Sequence, residues 1–191
     1  MPRITDTRQR MVRTAAGLLR RQGYAATGWR QVVAESHTPW GSQAHHFPGG
    51  KEQLAAEAIG LSGARYERLL LGVLDDAHPA AAVRLWSKVA ADELEKSGWA
   101  DGCPVATVAL ETAHSSTTLG AACDDAFTSW RDAFVGAMTR RGLRRAEATS
   151  LATLVLAGIE GALLLSRARR DGEPLRTVGK ELERLLRDRV P

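Results

Sequence analysis

Helix breakers cut the first fifty residues of this chain into one longer and two short helical stretches, and no other feature narrows the possible folds as much. Met11, Val12, Ala15, Leu18 and Leu19 follow the i, i+1, i+4, i+7, i+8 spacing of an amphipathic helix, and Gly23 is placed to cap its C-terminus. Thr27 or Gly28 then serves as N-cap of a short second helix, whose inward face is Trp29, Val32 and Val33 and which ends near Ser36. The turn His37-Thr38 leads to Pro39, a residue suited to the first turn of a third short helix. That helix runs to about His46, and Pro48-Gly49-Gly50 breaks the chain. A helix of about 17 residues followed by two of about 8 around a tight turn is the pattern of a helix-turn-helix. Its short third helix, exposed on one side, can enter the major groove of DNA while the first two hold it on a core.

The rest of the chain also reads as helical. Helices are expected from Lys51 to about Leu74, from about Ala80 to Lys96 and from Val105 to Ala113, with Pro104 well placed to open the third of these. A further one covers Leu119 to Arg140 and carries Cys123, Phe127, Trp130, Phe134 and Met138. Ala146 to Arg169 is apolar around most of its circumference, which calls for burial of more than one face. The last helix shows Leu175, Val178, Leu182, Leu185 and Leu186 on one stripe. The expected fold is all-α with about nine helices. A helix-turn-helix head over residues 1–50 is expected to precede a helical body over residues 51–191 that carries the dimerisation surface. Leu156, Ile159, Leu163, Leu182 and Leu186 are the residues expected at the dimer interface, because an end of chain this apolar suits a second copy.

Charge supports the division. Residues 1–51 hold eight basic side chains (Arg3, Arg8, Arg10, Arg13, Arg20, Arg21, Arg30 and Lys51) against the acids Asp6 and Glu35, a net +6. The remaining 140 residues carry eighteen basic and twenty acidic side chains, a net −2. A basic head on a mildly acidic body suits a polyanion, although a solvated basic face gives the same count. Cys103 and Cys123 form no CxxC pair and no signal peptide precedes them, so free thiols and a cytoplasmic place are expected. The most apolar stretch, Leu151 to Leu165, is shorter than a membrane span and is interrupted by Glu160, so no membrane segment is expected. His45 and His46 are adjacent and point about 100° apart on a helix, so they cannot share a metal there. No HExxH, P-loop or nucleophile elbow occurs, and neither an enzyme, a metal nor a cofactor is expected.

The stretch Gly23-Tyr24-Ala25-Ala26-Thr27-Gly28-Trp29-Arg30-Gln31-Val32 resembles the lead into helix two of TetR family transcriptional regulators. Gly41 to Leu54, with its His-His-Phe-Pro-Gly-Gly-Lys run, resembles that family's recognition helix and the start of its helix four. Gly102-Cys103-Pro104-Val105-Ala106, Ala109-Leu110-Glu111 and the segment Ala157 to Leu165 resemble the LmrA/YxaF-like branch, whose members respond to drugs and flavonoid-like aromatics.

The resemblance implies a homodimeric, double-stranded-DNA-binding regulator, a repressor released by a small apolar or aromatic effector. It implies DNA contacts from Thr27, Arg30, Trp40, Ser42, Gln43, His45 and Lys51, with Gln43 suited to adenine, Arg30 to guanine and Lys51 to a phosphate at a helix N-terminus. Phe47 is expected in the core and His46 in a structural hydrogen bond.

Four positions depart from the family pattern. Ala44 stands where a phosphate-binding Tyr is usual, Trp40 where Lys or Arg is usual, His37 where the turn has Gly, and Gly28 where the cap is Ser or Thr. They motivate an alternative, a TetR-shaped ligand- or protein-binding module that has lost operator binding. An effector cavity would draw on Trp86, Trp99, Cys103, Leu110, His114, Trp130, Phe134 and Met138, each of which could equally be core.

Overall fold

The computed structural model describes residues 6–191, and Arg3, counted with the basic side chains of the head, lies outside the described residues. All regular structure among the described residues is helical. The helices are α1 Thr7–Ala26, α2 Trp29–Glu35, α3 Ser42–His46, α4 Gly50–Asp76, α5 Pro79–Lys96, α6 Pro104–Thr112, α7 Thr117–Arg140, α8 Arg145–Arg169 and α9 Glu173–Arg189. The chain forms two compact units, Met1–Gly63 with Pro104–Ala126, and Ala64–Cys103 with Phe127–Pro191.

In the first unit, α1 buries Met11, Val12, Ala15, Leu18 and Leu19, the stripe expected from their spacing. It packs on α2, α3 and α6. Gly23 leaves the helical region (φ 80°, ψ −175°), a conformation open to glycine. The regular helix breaks there, as expected, but one further turn runs on to Ala26, because the N–H of Ala25 finds a carboxylate of Glu111 at 2.7 Å. His37, in the turn between α2 and α3, takes φ 52°, the left-handed region that a turn glycine would favour.

The third helix is shorter than the eight or so residues expected from Pro39. Pro39 lies before α3, in a turn closed by Ser42 N–H donating to the Pro39 carbonyl at 3.0 Å. That i to i+3 bond is tighter than an α-turn and leaves five residues in α3 proper. Phe47 follows it and is fully buried, with Trp29 at 6.0 Å between ring centroids and the Arg8 guanidinium 5.4 Å from its own. A short helix cannot stand alone, and this anchor holds it on the head.

In the second unit, α5 packs on α8 and α9, and α9 on α8. His78 caps α5. Its Nδ1 accepts from Ala80 N–H at 3.1 Å, so Nε2 carries the proton and donates to the Val190 carbonyl at 3.1 Å. This ties the end of α9 to the start of α5. The helices approach closely at Gly179, where a Cβ would lie 2.4 Å from the Cβ of Ser87 on α5. Glycine is required there by space.

The apolar stripe of α9 turns inward: Leu175, Leu182 and Leu186 are buried among α5 and α8. Its outer face carries Arg176, Lys180, Glu181 and Arg184. Ile159 of α8 is buried too. Leu182, Leu186 and Ile159, expected to meet a second copy, are therefore taken up by the core of their own chain. Leu156 and Leu163 are only partly exposed. The apolar surface left open on α8 lies a fraction of a turn away, on Leu154, Ala157, Gly161, Leu164, Leu165 and Ala168.

The apolar stretch Leu151 to Leu165 lies within the longer helix α8. At 25 residues, α8 is long and apolar enough to cross a membrane by length and composition. Here one face packs on α9 and α5 instead.

Candidate nucleic-acid interface and effector region

The head presents its candidate DNA residues unevenly. Arg30 on α2, Trp40 in the turn and His45 on α3 are exposed, Trp40 at 56%. Ser42 and Gln43 are half-buried, and the Gln43 Oε1 is shielded from solvent without a hydrogen-bond partner. Ala44 is exposed beside His45, so the position where the resemblance expects a tyrosine presents only a methyl group. Thr27 is placed differently from the rest. It is 3% exposed and its hydroxyl donates to the Gly23 carbonyl at 2.6 Å, so the side chain is spent on holding the end of α1.

The head's ion pairs include Arg8 with Glu57, Arg10 with Asp6 and Arg21 with Glu35, at 2.6, 3.1 and 3.3 Å. These exposed pairs contribute little to stability. They do subtract from the charge offered to a polyanion.

Lys51, in the first turn of α4, lies with its ammonium 4.2 Å from the centroid of the Tyr24 ring, and Nζ donates to the Ala25 carbonyl at 3.4 Å. Burial pushes its pKa below the ordinary lysine value, and the Glu111 carboxylate opposes that shift. Tyr24 is pushed upward, first by burial and then by Glu52. Glu52 in turn accepts from the hydroxyl of Ser116, the residue that caps α7 through Leu119 N–H. Neither Tyr24 nor Glu111 was singled out from the sequence as functional. The role of Glu111 depends on α6 packing beside α1 and that of Tyr24 on the start of α4, contacts between residues far apart in the chain that no local pattern carries.

The residues expected to line an effector cavity fall in both units. In the second, Trp86 and Phe134 stack at 5.9 Å with 21° between planes. Trp130 meets Phe127 and Tyr66 edge-on, both at 5.6 Å. Met138 is fully buried, and Trp99 takes φ 68° in the turn that closes α5. Cys103 is buried and its thiol donates to the Glu160 carboxylate. Burial pushes the pKa of Glu160 up to about 7, and the thiol's hydrogen bond opposes it. In the first unit, Leu110 is 79% exposed and His114 is exposed. The inward face of α6 is instead Val105, Val108 and Thr112, so Leu110 points away from the interior its apolar side chain had suggested. Cys123 donates to the Val105 carbonyl, and burial holds its thiol near 11. That thiol stays protonated and a poor nucleophile. Among the described residues no cluster of His, Cys, Asp and Glu could hold a metal ion.

Residues 79–181 match the family model described as transcriptional regulator LmrA/YxaF-like, C-terminal domain. The chain is 37% identical over 183 residues to the HTH-type transcriptional regulator YxaF of Bacillus subtilis, covering 95% of this chain and 96% of that protein. It is 31% identical to the HTH-type transcriptional regulator LmrA of the same organism, covering 95% and 97%. Among solved structures, a regulatory protein TetR from Rhodobacter sphaeroides superposes with a TM-score of 0.82 at 22% identity, covering 94% of this chain and 98% of that one. A TetR transcriptional regulator from Chloroflexus aurantiacus gives 0.80 at 25%, covering 100% and 98%.

Proposed function

Since the chain belongs to the TetR family of HTH-type transcriptional regulators and carries an LmrA/YxaF-like C-terminal domain, we propose that it is a homodimeric repressor, released from operator DNA by a small apolar or aromatic effector. The observation that carries this reading is the exposed group Arg30, Trp40 and His45 around α2 and the five-residue α3, on a head of net charge +6. Arg30 suits a guanine edge, and Gln43 suits adenine once its amide turns outward. Lys51 stands where the N-terminus of α4 adds its own positive end for a phosphate. Thr27 supports the reading as a positioning residue for α2.

Pairing of two subunits is supported by the open α8 stripe, where Ala157 and Gly161 permit close approach and Leu154, Leu164 and Leu165 supply apolar area. An aromatic effector is supported by the Trp86–Phe134 stack and the Trp130 cluster. To release the operator, it must favour the DNA-incompetent dimer. A hundredfold preference corresponds to about 2.7 kcal/mol. The place of action is the cytoplasm, where the chromosome and reduced thiols coincide.

Fluorescence anisotropy with duplexes from the gene's own upstream region tests the reading. Binding is expected to be specific and to weaken steeply with added salt, as neutralised phosphates require. The methyl surface of Ala44 motivates the rival, a module of this shape without operator binding. A chain that ignores every duplex at low salt yet still takes up small aromatics establishes the rival.

A further inference from the structure

Side chains hold four backbone groups of the segment joining α1 to α2. Thr27 Oγ1 donates to the Gly23 carbonyl at 2.6 Å, and Gln22 Nε2 to the Ala26 carbonyl at 2.9 Å. Lys51 Nζ reaches the Ala25 carbonyl from α4. The Ala25 N–H is held from α6. The break at Gly23 leaves this donor without the intrahelical acceptor that a continuous helix would supply. Glu111 Oε2 on α6 accepts from it at 2.7 Å. The other carboxylate oxygen rests over the bare Cα of Gly23, where a Cβ would lie 1.8 Å from Oε1 and 2.9 Å from Cδ. Gly23 and Glu111 are thus fitted to each other, the one by its positive φ and missing side chain, the other by a carboxylate placed as a cap from a different helix.

We propose that Glu111 is a positioning residue for DNA binding: its carboxylate caps the turn after Gly23 and so sets the direction in which the chain enters α2. The inference rests on the reading of the head as the DNA-binding part. A charged acceptor makes a stronger bond than a neutral one, and the anion also attracts the Lys51 ammonium, which bonds the carbonyl of the same Ala25. With the cap removed, Ala25 N–H turns to water and the turn loses the bond that orients it. Arg30 and the helices after it then sample more than one direction, and every duplex contact weakens together.

Three variants separate hydrogen bonding from bulk. Glu111→Gln keeps an acceptor, Glu111→Met keeps the volume without one, and Gly23→Ala displaces the carboxylate from the other side. Amide exchange at Ala25 is read alongside duplex affinity by anisotropy, with the unfolding midpoint as a check on folding. Glu111→Met is expected to speed exchange at Ala25 and to weaken duplex binding, each by about tenfold, the scale of one lost hydrogen bond to a charged group. Gly23→Ala should act in the same direction. Glu111→Gln should recover most of both losses, which a space-filling role would not produce. Unchanged exchange at Ala25 in Glu111→Met overturns the proposal, as does faster exchange with unchanged duplex affinity. A native chain that binds no duplex removes the DNA-positioning role and counts against the regulator reading first. Exchange at Ala25 still reports whether Glu111 holds the turn.

Discussion

The ammonium of Lys51 sits over the ring of Tyr24, 4.2 Å from its centroid, and so is fixed at the point where α1 ends and α4 begins. A cation stacked on an aromatic face gives up little rotamer freedom when an anion arrives. Lys51→Ala should weaken binding to all duplexes alike and lower the slope of log affinity against log salt by about one. Salt titrations of the native and variant chains check it, and an unchanged slope would remove Lys51 from the phosphate contacts.

The crossing of α5 and α9 at Ser87 and Gly179 leaves no room for a methyl group. Gly179→Ala should destabilise the chain by about 1–3 kcal/mol, the range for overpacking a tight core. Urea unfolding measures this. Adding Ser87→Gly to the same chain should restore part of the loss, because the clash falls on the Ser87 side chain. A Gly179→Ala chain with the native midpoint would mean that the two helices can part at no cost.

Glu160 adds a pH dependence with a definite sign. Its pKa is about 7 in the fold against an ordinary 4.5, so between those values the folded chain binds more protons than the unfolded one. Its contribution to stability is therefore fully present below about 4.5 and is lost as pH rises through 7. Relative to Glu160→Gln, the native chain should lose melting temperature steadily across that window. Parallel curves for the two chains would show that the carboxyl is already ionised when folded.

Leu164, 62% exposed on α8, belongs to the apolar stripe proposed to meet a second copy. Leu164→Glu together with Leu154→Glu should yield a monomer by sedimentation, since two buried unpaired charges on each subunit oppose association. A dimer that survives both changes at micromolar concentration would place the interface elsewhere.

Much of the fold was legible in the sequence because its helices announce themselves locally. The Met11 to Leu19 stripe, the breaks at Gly23 and Pro48, and Pro104 at the start of α6 all depend on near neighbours. The candidate DNA residues came instead from the resemblance to a family, not from that short-range pattern. What escaped depends on which face of a helix meets which partner. Leu182 and Leu186 carry the same stripe whether they serve a dimer or their own core, and only the packing of α9 on α5 and α8 decides between the two. Leu110 was misplaced for the same reason. Thr27 shows a subtler limit, because a hydroxyl that could reach a phosphate is equally able to close on the Gly23 carbonyl. The role of Glu111 needed the two ends of a contact separated by 86 positions.

The brevity of α3 carries a consequence for addressing. Five residues at 1.5 Å each span about 7.5 Å, little more than two base-pair steps. As the proposed DNA reader, α3 can spell only a very short word, and a chromosome repeats every short word thousands of times. On the proposed reading as a paired operator-binding protein, the vocabulary has to come from elsewhere: from reading the word twice at a set interval, and from flanking steps whose stiffness is felt without being touched.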